Sequence, residues 1–221
     1  MHIPDGYLGP ATCGFFYLVM LPIWTAASRI VKKNLKIRQV PMLAIGAAFS
    51  FVIMMFNIPI PGGTSGHAIG GVLVAVLLGP WAACIAITVA LVILALLFGD
   101  GGVTTCGANC FNMAFILPFA GYYLYKAISC NSPVNSKRRV IASGVAGYLA
   151  INIAALFAGV ELGLQPLLHH TSSGQALYSP YGLNAALTVM EGEHLFVFGW
   201  LEALVTALAV KYLQRQSPQL L

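Results

Sequence analysis

Apolar residues run through this chain in long stretches broken by Gly, Pro and charge, rather than at the period of 2 that marks a half-buried strand. A membrane-spanning helix needs ~20 mainly apolar residues, and seven stretches approach that requirement. They run from about Cys13 to Val31, Met42 to Asn57, His67 to Leu78, Trp81 to Phe98, Asn109 to Ile128, Val140 to Gly163, and His194 to Leu213. The third is too short to cross comfortably alone, and short or Gly-interrupted segments are where polar sites are built inside a bundle. The pattern predicts an all-α integral membrane protein with residues 1–221 as a single membrane domain. Residues 1–12 form an opening segment, 13–213 a seven-helix bundle and 214–221 a tail.

The charges order this bundle across a bilayer. Lys32, Lys33, Lys36 and Arg38 follow the first stretch, Lys126, Lys137, Arg138 and Arg139 flank the link from the fifth to the sixth, and Lys211 and Arg215 close the seventh. Cytoplasmic loops carry the excess of Lys and Arg, so these three clusters belong inside. Seven crossings then place the N-terminus outside and the C-terminus in the cytoplasm. The outer side collects Asp5, Asp100, Glu161, Glu191 and Glu193, a favourable potential for an arriving cation. Glu202, inside the seventh helix, is the exception.

Composition agrees, with 59% hydrophobic and 8% charged residues, outside the range of soluble domains. In this setting the net charge of +5 reads as topology rather than nucleic-acid affinity. The five cysteines (Cys13, Cys84, Cys106, Cys110 and Cys130) sit mostly in apolar surroundings and are odd in number, which points away from a disulfide framework. Cys106 and Cys110 are a helical turn apart, a spacing open to soft-metal ligation as well as to packing. The opening residues contain no basic n-region before Arg29, so the N-terminus is expected to be retained. Met1 is expected to persist because His2 is not small.

That free start carries chemistry. Met-His offers three nitrogens in a row: the α-amine of Met1, the main-chain amide of His2 and its Nδ1. They close a five-membered chelate ring fused to a six-membered one. A metal takes all three in one plane only if the amide gives up its proton. That requires a polarising divalent ion suited to square-planar nitrogen, which describes Ni(II) and Cu(II); zinc prefers tetrahedral sites and magnesium oxygen. The fourth place is assigned to His67, expected at the outer start of the third helix, where the dipole disfavours imidazolium. Asp5 and Asp100 are expected to offset the charge from outside the ligand ring, and Thr64, Ser65 and Asn109 to orient the imidazoles. His169, His170 and the cluster Glu191, Glu193 and His194 are rival positions, and they define an alternative of another class, an intramembrane zinc-dependent hydrolase. HExxH is absent from the sequence.

The segments MHIPDGYLGP, IPGGTSGHAIGG and GDGGVTTCGANCFNMA resemble the CbiM/NikM family, the substrate-specific components of energy-coupling-factor ABC transporters for cobalt and nickel. The resemblance covers most of the chain. It implies an opening segment inserted into a seven-helix bundle, with the metal held through His2 and His67. It also implies import of Ni(II), or alternatively Co(II), as transported substrate; Cu(II) is a competitor in vitro. Pro4-Asp5 is closer to nickel members. The cysteines of TTCGANC depart from the family's usual apolar residues. The implied partners are a transmembrane coupling component, cytoplasmic ATPase subunits and a small accessory membrane subunit, in the cytoplasmic membrane of a prokaryote. The chain has no GxxxxGK[ST] phosphate loop, so ATP hydrolysis is assigned to the partners and no enzymatic activity to this chain.

Overall fold

The computed structural model describes residues 1–35, 37–60 and 64–221, and for Arg38, Pro59, Ile60, Thr64 and Ser65 it describes the main chain alone. Lys36, Pro61, Gly62 and Gly63, which fall in the expected inner loop and Pro-Gly turn, lie outside the described residues. Among the described residues, two short 3-10 turns aside, seven helices follow in order: α1 Pro10–Asn34, α2 Val40–Met54, α3 Gly71–Leu78, α4 Pro80–Phe98, α5 from Cys106 to Ser129, α6 Lys137–Leu168 and α7 Leu183–Gln216. Proline stands at the first or second position of α1, α2 and α4, where its missing N–H costs nothing and its fixed φ suits the first turn. The hydroxyl of Ser136 accepts from Arg139 N at 3.4 Å and caps α6. Short π-helical stretches interrupt α4 at Leu94–Phe98, α5 at Cys110–Ile116 and α7 at His194–Phe198, a local widening often found near functional positions.

Among the described residues four helices, α1, α4, α6 and α7, are long and apolar enough to cross a bilayer. Their outward faces show Phe15, Leu18, Leu97, Trp200, Leu204 and Leu208, apolar surface that water would penalise and lipid would not. Inside, α6 presents Ala142, Ala146, Ala150, Ala154 and Ala158, all fully buried, and this small-residue stripe lets neighbouring helices approach. Contact between α1 and α5 depends on Gly107, where an added Cβ would stand 2.8 Å from Tyr17 N.

The structure departs from the sequence expectation in three places. The chain is not wholly helical, because β1 (Ile58–Ile60) pairs antiparallel with β2 (Thr64–Gly66) in a small hairpin, with Ile58 opposite Gly66. The third helix begins at Gly71 rather than His67, since Gly70 takes a left-handed conformation (φ +72°) that ends the extended segment and turns the chain. The last connection is shorter than expected, with α6 reaching Leu168 and α7 starting at Leu183. Glu191 and Glu193 truncate the apolar run, yet Leu183, Leu187 and Met190 pack on α6 at Gly159 and Gly163 and extend the helix by eleven residues at its start, as Leu183–Glu193.

The two ends of the bundle differ in character. At the basic end Arg139 reaches the carbonyl of Leu221 at 3.0 Å and Gln214 that of Val134 at 2.6 Å, so the tail rests on the α5–α6 link. At the opposite end the chain start, the β-hairpin, the 99–105 loop and the α6–α7 connection converge.

Candidate metal centre

Residues 1–9 do not trail into solvent; Met1, Ile3 and Leu8 are buried. The main chain of Ile3 is gripped on both sides. Its N–H donates to Asn109 Oδ1 at 2.9 Å, and its carbonyl accepts from Asn109 Nδ2 at 3.0 Å, Thr105 Oγ1 at 2.5 Å and Gly102 N at 3.0 Å. The Asn109 side chain thus acts as a one-residue strand partner, and the first turn of α5 sets the height of the chain start. Two residues on, the Asp5 carboxylate accepts from Val103 N at 3.1 Å and from both the N–H and the hydroxyl of Thr104, at 2.8 and 2.5 Å. Gly102 permits the contact, because an added Cβ would stand 2.3 Å from Asp5 Oδ1. Farther along, Gly9 N donates to Gln165 Oε1 at 2.9 Å, and Tyr7 O accepts from Ser179 N at 3.1 Å.

This clamp brings His2 against His67. The rings lie 4.6 Å apart between centroids, with His67 Nε2 at 3.2 Å from His2 Nδ1. His67 Nδ1 stands 3.0 Å from the carbonyl of Ala68, which can only accept, so Nδ1 carries the proton and Nε2 keeps its lone pair. That lone pair faces His2. On the other side His2 Nδ1 meets Asp100 Oδ1 at 3.1 Å, and the second oxygen of Asp100 accepts from Asn57 Nδ2 at 3.2 Å. A single proton on His2 Nδ1 therefore sits between two acceptors, a position suited to a cation.

His67 itself is held from behind. Glu202 of α7 accepts from Ile69 N at 2.7 Å and from Gly70 N at 3.1 and 3.0 Å. One turn earlier on α7, the Phe198 ring fills the space where Gly66 lacks a Cβ; an added one would stand 2.1 Å away.

These groups lie outside the spanning helices, and burial favours their neutral nitrogen bases. It lowers the Met1 amine from its ordinary 8.0, against the opposing pull of Glu193 and Asp100. His2 is likewise lowered from 6.5 by burial, against its Asp100 partner. His67 falls well below 6.5, first through burial and then through its neighbours His2 and the amine. Burial would raise Asp100, but the hydrogen bond and charge of His2 hold it below its ordinary value. The Thr104 hydroxyl, followed by main-chain donors, lowers Asp5. The arrangement offers neutral nitrogen lone pairs beside a carboxylate, the donor set of a borderline divalent cation.

Of the residues singled out in the sequence, the structure brings Met1, His2, His67 and Asp100 to one place. Asp5 and Asn109 stand one layer away, on the 103–104 main chain and on Ile3. The side chains of Thr64 and Ser65 lie outside the described residues. Of the rival positions, His169 Nε2 is 3.4 Å from Thr12 Oγ1, while Glu193 and His194, whose Nδ1 donates to Met190 O at 2.7 Å, stand near enough to act electrostatically on the Met1 amine and His67. Among the described residues no group of three His, Cys, Asp or Glu side chains is placed to hold a metal ion. Cys106 and Cys110 are free thiols, 3.8 Å apart and buried. Sequence reasoning missed Glu202, Thr105, Asn57 and Gln165. Only Glu202 carried a signal, as an ionisable residue within a spanning helix.

The chain matches, over residues 2–220, a family model described as CbiM, cobalt uptake substrate-specific transmembrane region. It is 52% identical over 99% of its length to a probable fused nickel transport protein, LarMN, of Lactiplantibacillus plantarum, and 50% identical over 100% to a fused nickel transport protein, NikMN, of Rhodobacter capsulatus. It covers 66% and 64% of those relatives, so it spans about two thirds of their length. A crystal structure described as a truncated transition metal transporter superposes with a TM-score of 0.91 at 54% identity, covering 96% of this chain and 98% of that one.

Proposed function

As the chain belongs to the CbiM family of cobalt uptake substrate-specific transmembrane proteins, we propose that it is the nickel-capturing membrane subunit of an energy-coupling-factor transporter. Ni(II) is bound in a plane by the Met1 amine, the deprotonated His2 amide, His2 Nδ1 and His67 Nε2. The observation that carries this reading is the 3.2 Å between His2 Nδ1 and His67 Nε2. Nitrogens adjacent in a square with metal bonds of roughly 2 Å lie roughly 2.8 Å apart, so closure needs a shift of only a few tenths of an ångström. Two imidazoles alone do not make a site, and the amine and amide are the remaining nitrogens of the same chelating dipeptide.

The metal displaces the proton between His2 and its two acceptors. With the amide anionic the site carries a net charge of +1, which Asp100, its Oδ1 3.1 Å from His2 Nδ1, balances. Nickel is favoured over cobalt by the names of the fused relatives and by its preference for square nitrogen ligation; the same site for Co(II) is the alternative. The zinc-hydrolase alternative lacks support, since His169 and His194 are engaged apart from each other.

The reading extends to the assembly. Seven crossings, with the metal centre outside and the basic end in the cytoplasm of a prokaryotic cell, follow the positive-inside pattern. A transmembrane coupling component and ATPase subunits supply the energy. The extra third of the fused relatives supports an accessory membrane subunit beside this one.

Addition of Ni(II) to purified protein with a free Met1 tests the reading. A yellow, diamagnetic complex at one equivalent supports it, and a paramagnetic six-coordinate complex overturns it.

A further inference from the structure

Glu202 is the one acidic side chain of the inner half of α7, and it is completely buried. A carboxylate this deep in a membrane bundle is costly unless donors surround it. Its donors are the main-chain N–H groups of Ile69 and Gly70, at 2.7 to 3.1 Å. Both follow His67 within three residues, in the segment that joins β2 to α3. Gly70 there is left-handed, and a Cβ on it would stand 2.4 Å from the Phe49 ring, so the segment has little freedom to turn on its own. His67 fixes its ring through the Ala68 carbonyl, which belongs to the peptide unit that also contains Ile69 N. Glu202 therefore holds the very peptide that orients the His67 ring.

The other end of this connection is α7, which is continuous through Gly199–Gln216 to Lys211 and Arg215 at the basic pole. A displacement of α7 along its axis is carried by the carboxylate to Ile69 and Gly70.

We propose that Glu202 is a positioning residue for metal capture, tethering the His67 ligand to α7 so that movement of the inner half of α7 withdraws one nitrogen from the metal plane. The inference rests on the proposed four-nitrogen site. It assigns release to the loss of the His67 bond, after which the Met1–His2 chelate holds three nitrogens and admits water.

The test compares Glu202→Ala, Glu202→Gln, His67→Ala and the Glu202→Ala/His67→Ala double variant, each with a free Met1, by Ni(II) titration and absorption spectroscopy. Removing an outer partner of a metal ligand weakens affinity roughly 10–100-fold, and Glu202→Ala is expected within that range. Its spectrum should match that of His67→Ala, because in both the fourth nitrogen is replaced by oxygen, and the double variant should bind no more weakly than His67→Ala. Glu202→Gln keeps one acceptor oxygen and should fall between wild type and Glu202→Ala. Helical circular dichroism and a single monodisperse peak in size-exclusion chromatography, both matching wild type, check that each variant is folded, since the Met1–His2 chelate itself depends on covalent connectivity alone. If Glu202→Ala retains the wild-type spectrum and affinity, or if its loss adds fully to that of His67→Ala, the tether is wrong. If His67→Ala itself leaves the wild-type spectrum unchanged, the four-nitrogen site fails first, which distinguishes the two failures.

Discussion

His2 and His67 face each other across 3.2 Å, with the acceptor nitrogen of one against the proton-bearing nitrogen of the other, though 65 residues separate them in the chain. The contact joins the start of the polypeptide to the segment between β2 and α3. It exists because Asn109, Thr105 and Gly102 hold Ile3 from one side and Glu202 holds Ile69 and Gly70 from the other.

The α-amine is proposed as a ligand, so any residue fused before Met1 converts it to an amide and shifts His2 out of chelate register. An uncleaved N-terminal extension should abolish Ni(II) binding, whereas one at Leu221 should be neutral. Equilibrium dialysis of the two fusions checks this, and retained affinity in the N-terminal fusion contradicts it.

Substituting His2 with Ala removes the six-membered chelate ring and should eliminate detectable capture. Asp100→Asn keeps the size of the side chain but removes the charge that balances the bound cation. It should weaken binding roughly 10–100-fold, with the absorption bands unmoved. Calorimetry combined with spectroscopy separates the two outcomes.

The clamp on Ile3 can be loosened without touching a ligand. Asn109→Ala removes the bonds to Ile3 N and Ile3 O, and Gly102→Ala drives a methyl group into Asp5. Both should lower affinity about tenfold or more and increase hydrogen exchange at the Ile3 amide. Unchanged exchange in Asn109→Ala would contradict the role given to this pairing.

The pH dependence follows from burial. The amine and the imidazoles of His2 and His67 all have lowered pKa values, so the docked segment binds fewer protons than a free one. Docking and capture therefore gain as pH rises and are lost as pH falls through the lowered values, below the ordinary 8.0 of the amine and 6.5 of the imidazoles. At neutral pH the amide still yields its proton to the metal. Calorimetry in buffers of different ionisation enthalpy should show proton release at pH 7 and more of it in mild acid. Absence of release at pH 7 would exclude the deprotonated amide.

Much of this was legible in the residues. Long apolar runs marked the helices because a bilayer leaves few other ways to satisfy a main chain, and Met-His showed its nitrogens because chelation depends on covalent connectivity alone. His67 is singled out by position and the structure sets it beside His2, but not at a helix start as expected, since the left-handed Gly70 delays α3 to Gly71. The first part of α7 is hidden because Glu191 and Glu193 break the apolar pattern, while its packing on Gly159 and Gly163 is a tertiary matter. Asn109 was expected to orient an imidazole, and the structure places it on Ile3, a partner 106 residues away that no local pattern encodes. Glu202 stood out in the sequence as a lone acid in a helix, yet its partners become visible only when the hairpin folds back onto α7.

The central claim is tested most directly by an anomalous-scattering map of Ni(II)-loaded crystals of the protein with a free Met1. The account predicts a single nickel peak with four nitrogens at roughly 2 Å: the Met1 amine, the His2 amide, His2 Nδ1 and His67 Nε2, all in one plane. A peak away from Met1 and His2, or one surrounded by carboxylate and water oxygens, would contradict it.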